Sequence, residues 1–175
     1  MLYICYNLYE AGDKVNIDSI KRDLLVKFPK FENIINNSNF IIDTNVASVA
    51  TDGKNIFYNP DFVNSISMEQ QMFAFANALF HIASNNIVRA EGKDQVLWNI
   101  ATDAVINSLL RQEGFSDIAN SINIPDAINY SAEEMYNKLL EEKNKKSMNL
   151  EKWDGKMYAE LVEEFTKDLE QKKTR

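Results

Sequence analysis

The sequence predicts an α+β fold, mainly helical, with one small three-stranded antiparallel sheet packed on core helices. Two observations carry this. Apolar residues recur at helical spacing over 13–28, 67–85, 96–112 and 131–143. Between the first two of these stretches lies an island of alternating β-branched and aromatic residues, 40–58, which contains the turn signal Asp52-Gly53. The pattern switches back to helical period at Asn59-Pro60.

Each element has a local reason. Over 13–28, Ile17, Ile20, Leu24 and Leu25 form one apolar face, and Pro29 with the run NIINNSN then breaks the pattern. Phe40 to Asp43, Val46 to Thr51 and Asn55 to Tyr58 read as three short strands, with Asp52-Gly53 as a hairpin turn. Asn59-Pro60 reads as the turn that leaves the sheet. Ser67-Met68-Glu69-Gln70 is a capping box that opens a helix so apolar that it must be buried. The polar run SNNIVRAEGKD connects it to a second buried helix, which starts near Val96 and ends before Gly114. Ser131-Ala132-Glu133-Glu134 opens a third helix that runs to about Lys143.

Residues 1–143 are expected to form one domain, followed by a linker and an amphipathic C-terminal helix over 144–175. In that tail Trp153, Met157, Leu161, Phe165 and Leu169 step by four, a stripe suited to docking on the body or on a partner.

Composition narrows the function classes. The net charge is −7. Residues 141–175 are neutral, with nine basic and nine acidic side chains, so the acidic excess lies entirely in residues 1–140. Such a body repels phosphate backbones, and no nucleic-acid partner is expected. No stretch has the ~20 apolar residues that cross a bilayer, so no membrane partner is expected. The opening MLYICYNLY lacks a basic n-region, and Cys5 is the only cysteine, so the expected compartment is the cytoplasm.

The segment Asn77-Ala78-Leu79-Phe80-His81 carries the functional question. A catalytic zinc takes about three protein ligands and an open position. His-x-x-x-His on a helix supplies two, because i and i+4 share a face, and a Glu after the first His acts as general base on the metal-bound water. Here Asn77 and Ala78 stand at the first two of those positions, and His81 is the only histidine of the chain. On the next helix Asn99, Asp103 and Asn107 fall four apart, a polar stripe on an apolar helix that needs partners. Asp103 is expected close to His81, either as a structural hydrogen-bond partner or as a fellow metal ligand.

Four segments in fixed order, VATDGKNIFYNPDFV, the helix and exit from Phe75 to Arg89, LWNIATDAVINSLL and SAEEMYNKLL, resemble the zincin-like metallopeptidase domain that precedes a von Willebrand factor A-like domain in bacterial proteins. The resemblance covers roughly 40–140. It implies a minimal zincin, with a small sheet packed on an active-site helix that reads H-E-x-x-H. Matched by position, Asn77 stands at the first His, Ala78 at the general base, His81 at the second His, Asn86 at a third His and Arg89 at a retained Arg. The resemblance also implies that Asp103 and Asn107 recur, in an outer layer that orients the imidazole; Arg89 and Asn99 are candidates for the same layer.

The expectation is therefore a vestigial site at Asn77, Ala78, His81, Asn86 and Asp103, with no catalytic residue and no cofactor. The chain would act as a protein-binding or adaptor module. The resemblance points to an AAA ATPase or a von Willebrand factor A-like protein as partner. The alternative is a metal-dependent hydrolase whose zinc is held by a non-standard set including His81 and Asp103.

Overall fold

The computed structural model describes residues 15–145. Cys5 and the Trp153 to Leu169 stripe, with the expected C-terminal helix, lie outside them.

Helix α1, Ile17–Lys27, is capped by the Asn16 side chain, which accepts from Ser19 N–H, and buries Ile20 and Leu24. A 3₁₀ turn at Pro29–Phe31 leads into helix α2, Glu32–Asn37. Here the expected break at NIINNSN is corrected. Ile35 is fully buried, and Asn37 donates to the Asn33 carbonyl, so packing overrides the weak helix propensity of a run of asparagines.

Strands β1, β2 and β3 are Phe40–Ile42, Val49–Thr51 and Ile56–Tyr58. The sheet order is β1-β3-β2; β2 and β3 pair antiparallel, but β1 and β3 pair parallel. The sheet is thus mixed, not wholly antiparallel as expected. The β2–β3 hairpin is specified locally. Asp52 accepts from the Lys54 and Asn55 amides, and Gly53 takes φ +92°, which few other residues tolerate. These bonds, above all the one from the Asn55 amide, hold the exposed Asp52 carboxyl below its usual range. β1 is placed by long-range partners instead. Asn39 accepts at its carbonyl from Ile56 N–H, and Asp43 N–H donates to Tyr58, so β1 lies on the far side of β3. The chain then crosses the end of the sheet through a loop pinned by Asn59, whose side chain donates to the Val46 carbonyl. That is why Val46 to Ser48, expected in a strand, is loop.

Asn59 also caps a short helix, α3, Pro60–Asn64, with Pro60 at its first position, so the expected turn opens a helix. Helix α4, Met68–Ala83, begins with the expected capping box between Ser67 and Gln70 and buries Phe73, Phe75, Ala76 and Leu79. The polar connection contains one more helical turn, α5, Asn86–Arg89, entered through Asn85 in the left-handed region at φ 53°. Helix α6, Gln95–Gln112, starts on an Asp94 cap and ends at Gly114, φ +84°. Helix α7, Ala132–Lys145, starts on the second capping box, in which Ser131 accepts from Glu134 N–H.

The core has two apolar clusters. One gathers α1, α2, the sheet and α4 around Phe75 and Leu79; the other gathers α6 and α7 around Trp98 and Met135. The polar stripes of α4 and α6 meet at the seam between them. Among the described residues no helix is long and apolar enough to cross a membrane.

Candidate functional site

Helical geometry puts Asn77 and His81 one turn apart on the face of α4 that meets α6, and Asp103 and Asn107 answer them from α6. Asn77 Nδ2 donates to Asp103 Oδ1 at 2.9 Å and to Asn107 Oδ1 at 2.9 Å. His81 Nε2 lies 3.0 Å from the same Asp103 oxygen, and His81 Nδ1 lies 3.1 Å from Asn86 Nδ2. Asn86 Oδ1 accepts from Arg89, whose guanidinium forks onto Glu133 of α7 at 3.0 and 2.6 Å. At the other end Asn107 Nδ2 donates to the Ile122 carbonyl at 3.2 Å.

The network orients itself. A carboxylate only accepts, so Asn77 must turn its NH₂ toward Asp103. The Ile122 carbonyl likewise fixes Asn107, and Arg89 fixes Asn86. Asn86 then offers N–H to His81 Nδ1, which must accept. The imidazole proton therefore sits on Nε2 and points at Asp103. The chain of bonds runs without a mismatched pair from Glu133 to Ile122, and its members are half-buried or, for Asn86 and Asn107, 3% exposed.

Of the residues expected at the site, the structure joins Asn77, His81, Asn86, Arg89, Asp103 and Asn107 directly. Ala78 is buried beside them with no group to move a proton. Asn99 lines the adjoining cleft but is exposed, and its side chain has no hydrogen bond among the described residues. Glu133 and Trp98 were not anticipated as part of it. Trp98 Nε1 donates to the Asn86 carbonyl at 2.8 Å, and Arg89 and Lys93 lie over its ring. Glu133 is 44 residues from Arg89, and nothing local in the sequence marks that pairing.

Two clefts flank this row. One, of about 300 Å³, has apolar walls from Val49, Phe62, Phe73 and Ile118; the other, of about 250 Å³, includes Thr51, His81 and Asn99. Val49, Asn77 and Asp103 line both. Arg111 shapes the first by donating to Asp117, Ser121 and the Ile122 carbonyl, which folds the 115–122 loop back over α6.

The residues present do not fit a catalytic zinc. The Nε2 of His81 carries its proton toward Asp103, Nδ1 is covered by an amide N–H, and Asn77 turns its NH₂ inward rather than a lone pair. Among the described residues no three His, Cys, Asp or Glu side chains gather into a metal-binding group.

The Arg89 bond holds the Glu133 carboxyl below its ordinary range. A carboxylate with a depressed pKa in the folded state stabilises that state fully above its unfolded pKa, about 4.3, and loses the contribution as pH falls through the folded value. Glu133→Gln is therefore expected to lower stability at neutral pH by about 0.5–1 kcal/mol, the range for a partly solvated pair. The difference should shrink as pH falls below the unfolded carboxylate value and be lost as pH passes through the lower folded one. Thermal melts of both proteins across that range check the sign.

No curated protein and no solved structure matches the chain. A family model does match, over residues 19–174, and so takes in the charged tail as well as the body. With that span the chain belongs to the family described as "Putative metallopeptidase domain".

Proposed function

We propose that this chain is a non-catalytic member of its family and works by binding an extended segment of a protein partner. One observation carries the reading: the amide of Asn77, at the family's first ligand position, is engaged in bonds to Asp103 and Asn107. The NH₂ at this position is committed to a hydrogen-bond network, and no group at Ala78 generates a nucleophile from water.

What remains usable is the sheet edge. Ser48–Asn59 and Asp52–Asn55 are hydrogen-bonded pairs of the β2–β3 ladder. By alternation Ala50 faces β3, and Val49 and Thr51 turn their backbone N–H and C=O groups outward. That open edge borders both clefts and suits strand addition. A partner of the AAA ATPase or von Willebrand factor A-like class, for which the chain would be an adaptor, is the candidate that the family association suggests.

The test is metal analysis and a peptidase assay on protein purified without chelator or histidine tag. Substoichiometric zinc and no cleavage are expected. Cleavage that is abolished by chelator and again by His81→Ala would establish instead a hydrolase that uses His81 and Asp103.

A further inference from the structure

We infer that the cleft beside β2 selects partners by a basic side chain, a lysine or arginine of the bound strand whose charged tip sits on Asp103. The inference rests on the binding reading above and adds the chemistry of the ligand.

The hydrogen-bond inventory of the row leads to it. Both Asn77 N–H groups and the His81 Nε2–H are engaged, all toward Asp103 Oδ1 or Asn107. Asp103 Oδ2 and Asn77 Oδ1 have no partner among the described residues, and neither is a buried orphan, so both face the clefts. The open valences of the row are acceptors. Their carboxylate is only partly solvated, with a side chain 30% exposed. Neither neighbour compensates its charge: Asn77 is neutral, and His81 is held in the Nε2–H tautomer by Asn86. The two guanidinium groups bonded to the row are committed elsewhere, Arg89 to Glu133 and Arg111 to Asp117.

The shape of the larger cleft matches the same ligand. Apolar walls from Val49, Phe62, Phe73 and Ile118 end on a floor of Asn77 and Asp103. Lysine and arginine have this division, an aliphatic stem and a charged, donor-only tip. Val49, whose N–H and C=O turn outward, is one of the residues lining the same cleft, so a strand paired on β2 would deliver side chains to it. A hard divalent cation is a poorer occupant. It wants six or more oxygens, usually several of them carboxylate, and here one carboxylate and one amide are on offer.

The experiment is selection of a randomised heptapeptide library by the full-length chain and by Asp103→Asn, with melting curves to show that the variant is folded. The expected result is enrichment of lysine or arginine at one position by the natural chain and its loss in the variant. A selected peptide should bind about tenfold more weakly when that residue becomes norleucine, the loss of one charge-assisted contact. It should also weaken when alternate backbone amides are N-methylated, which leaves the protein untouched should Asp103→Asn fail to fold. Peptides selected with no basic preference, or equally well by the folded variant, overturn the inference and leave the binding reading intact. Displacement of a selected peptide by stoichiometric calcium or magnesium also overturns it. Selection of no peptide at all overturns both.

Discussion

Trp98→Ala is expected to cost about 3–5 kcal/mol of unfolding free energy, the range for emptying a large buried aromatic site. Against a total near 5–15 kcal/mol for a domain, that is a large share of the stability. Trp98 is 1% exposed and lies at the centre of the α6–α7 cluster, edge-on to Tyr136. Three losses combine. A cavity opens between α6 and α7; the Asn86 carbonyl loses its indole donor; and Arg89 and Lys93 lose the ring face they lie over. Trp98→Phe separates these, because it keeps most of the packing and removes the N–H. It is expected to cost about 0.5–1.5 kcal/mol, the net worth of one hydrogen bond, since the Asn86 carbonyl keeps the Ala90 N–H as a donor. Urea unfolding with unchanged m-values measures both. An alanine variant within 1 kcal/mol of the natural chain would mean that the α6–α7 cluster is not the core the structure shows.

Asn77→His is expected to create a zinc site of two imidazoles and one carboxylate. The new imidazole would stand one turn before His81 on the same face of α4. Asp103, 3.0 Å from His81 Nε2 and 2.9 Å from the Asn77 amide, is already placed as the third ligand. Zinc affinity should rise on the order of a hundredfold or more, because a second imidazole joins His81 and Asp103 to make three anchored donors. To ligate through Nε2 the neutral His81 ring must carry its proton on Nδ1 instead, so it releases no net proton, and Asn86 must turn its carbonyl oxygen toward Nδ1. Calorimetry in buffers of different ionisation enthalpy, above the pH at which imidazoles protonate, should read the gain in affinity with little dependence on the buffer. Adding Asn86→His should not help. In the structure Asn86 faces Nδ1, the ring nitrogen that does not point at Asp103, and it is 3% exposed beneath Arg89. If the Asn86 substitution proves necessary for zinc binding, the loop at 84–90 must rearrange from the geometry described here.

How much of this was legible beforehand follows from the range of the interactions. Asn77, His81, Asp103 and Asn107 are legible because each pair on a helix is set by the i/i+4 rule. A polar stripe on an apolar helix must meet another polar group wherever two such helices pack. Ser67 with Gln70 and Ser131 with Glu134 are legible for the same reason, since a cap and its target are three residues apart. The Asp52-Gly53 hairpin is legible because the turn residues supply its bonds and its positive φ.

Tertiary structure alone decided the rest. The parallel pairing of β1 with β3 depends on Asn39 meeting Ile56 and Asp43 meeting Tyr58, partners that no local pattern names. The helix over Glu32–Asn37 exists because Ile35 finds a buried seat, which the asparagines around it do not advertise. The path by which His81 is oriented, through Asn86 and Arg89 to Glu133, joins residues 44 positions apart at its last step. Helix period, caps and turns are set by neighbours along the chain, so the sequence by itself determined them. Which strand lies beside which, and which charge meets which across 30 or more residues, is set by the packing of already formed elements, and only the folded chain decided it.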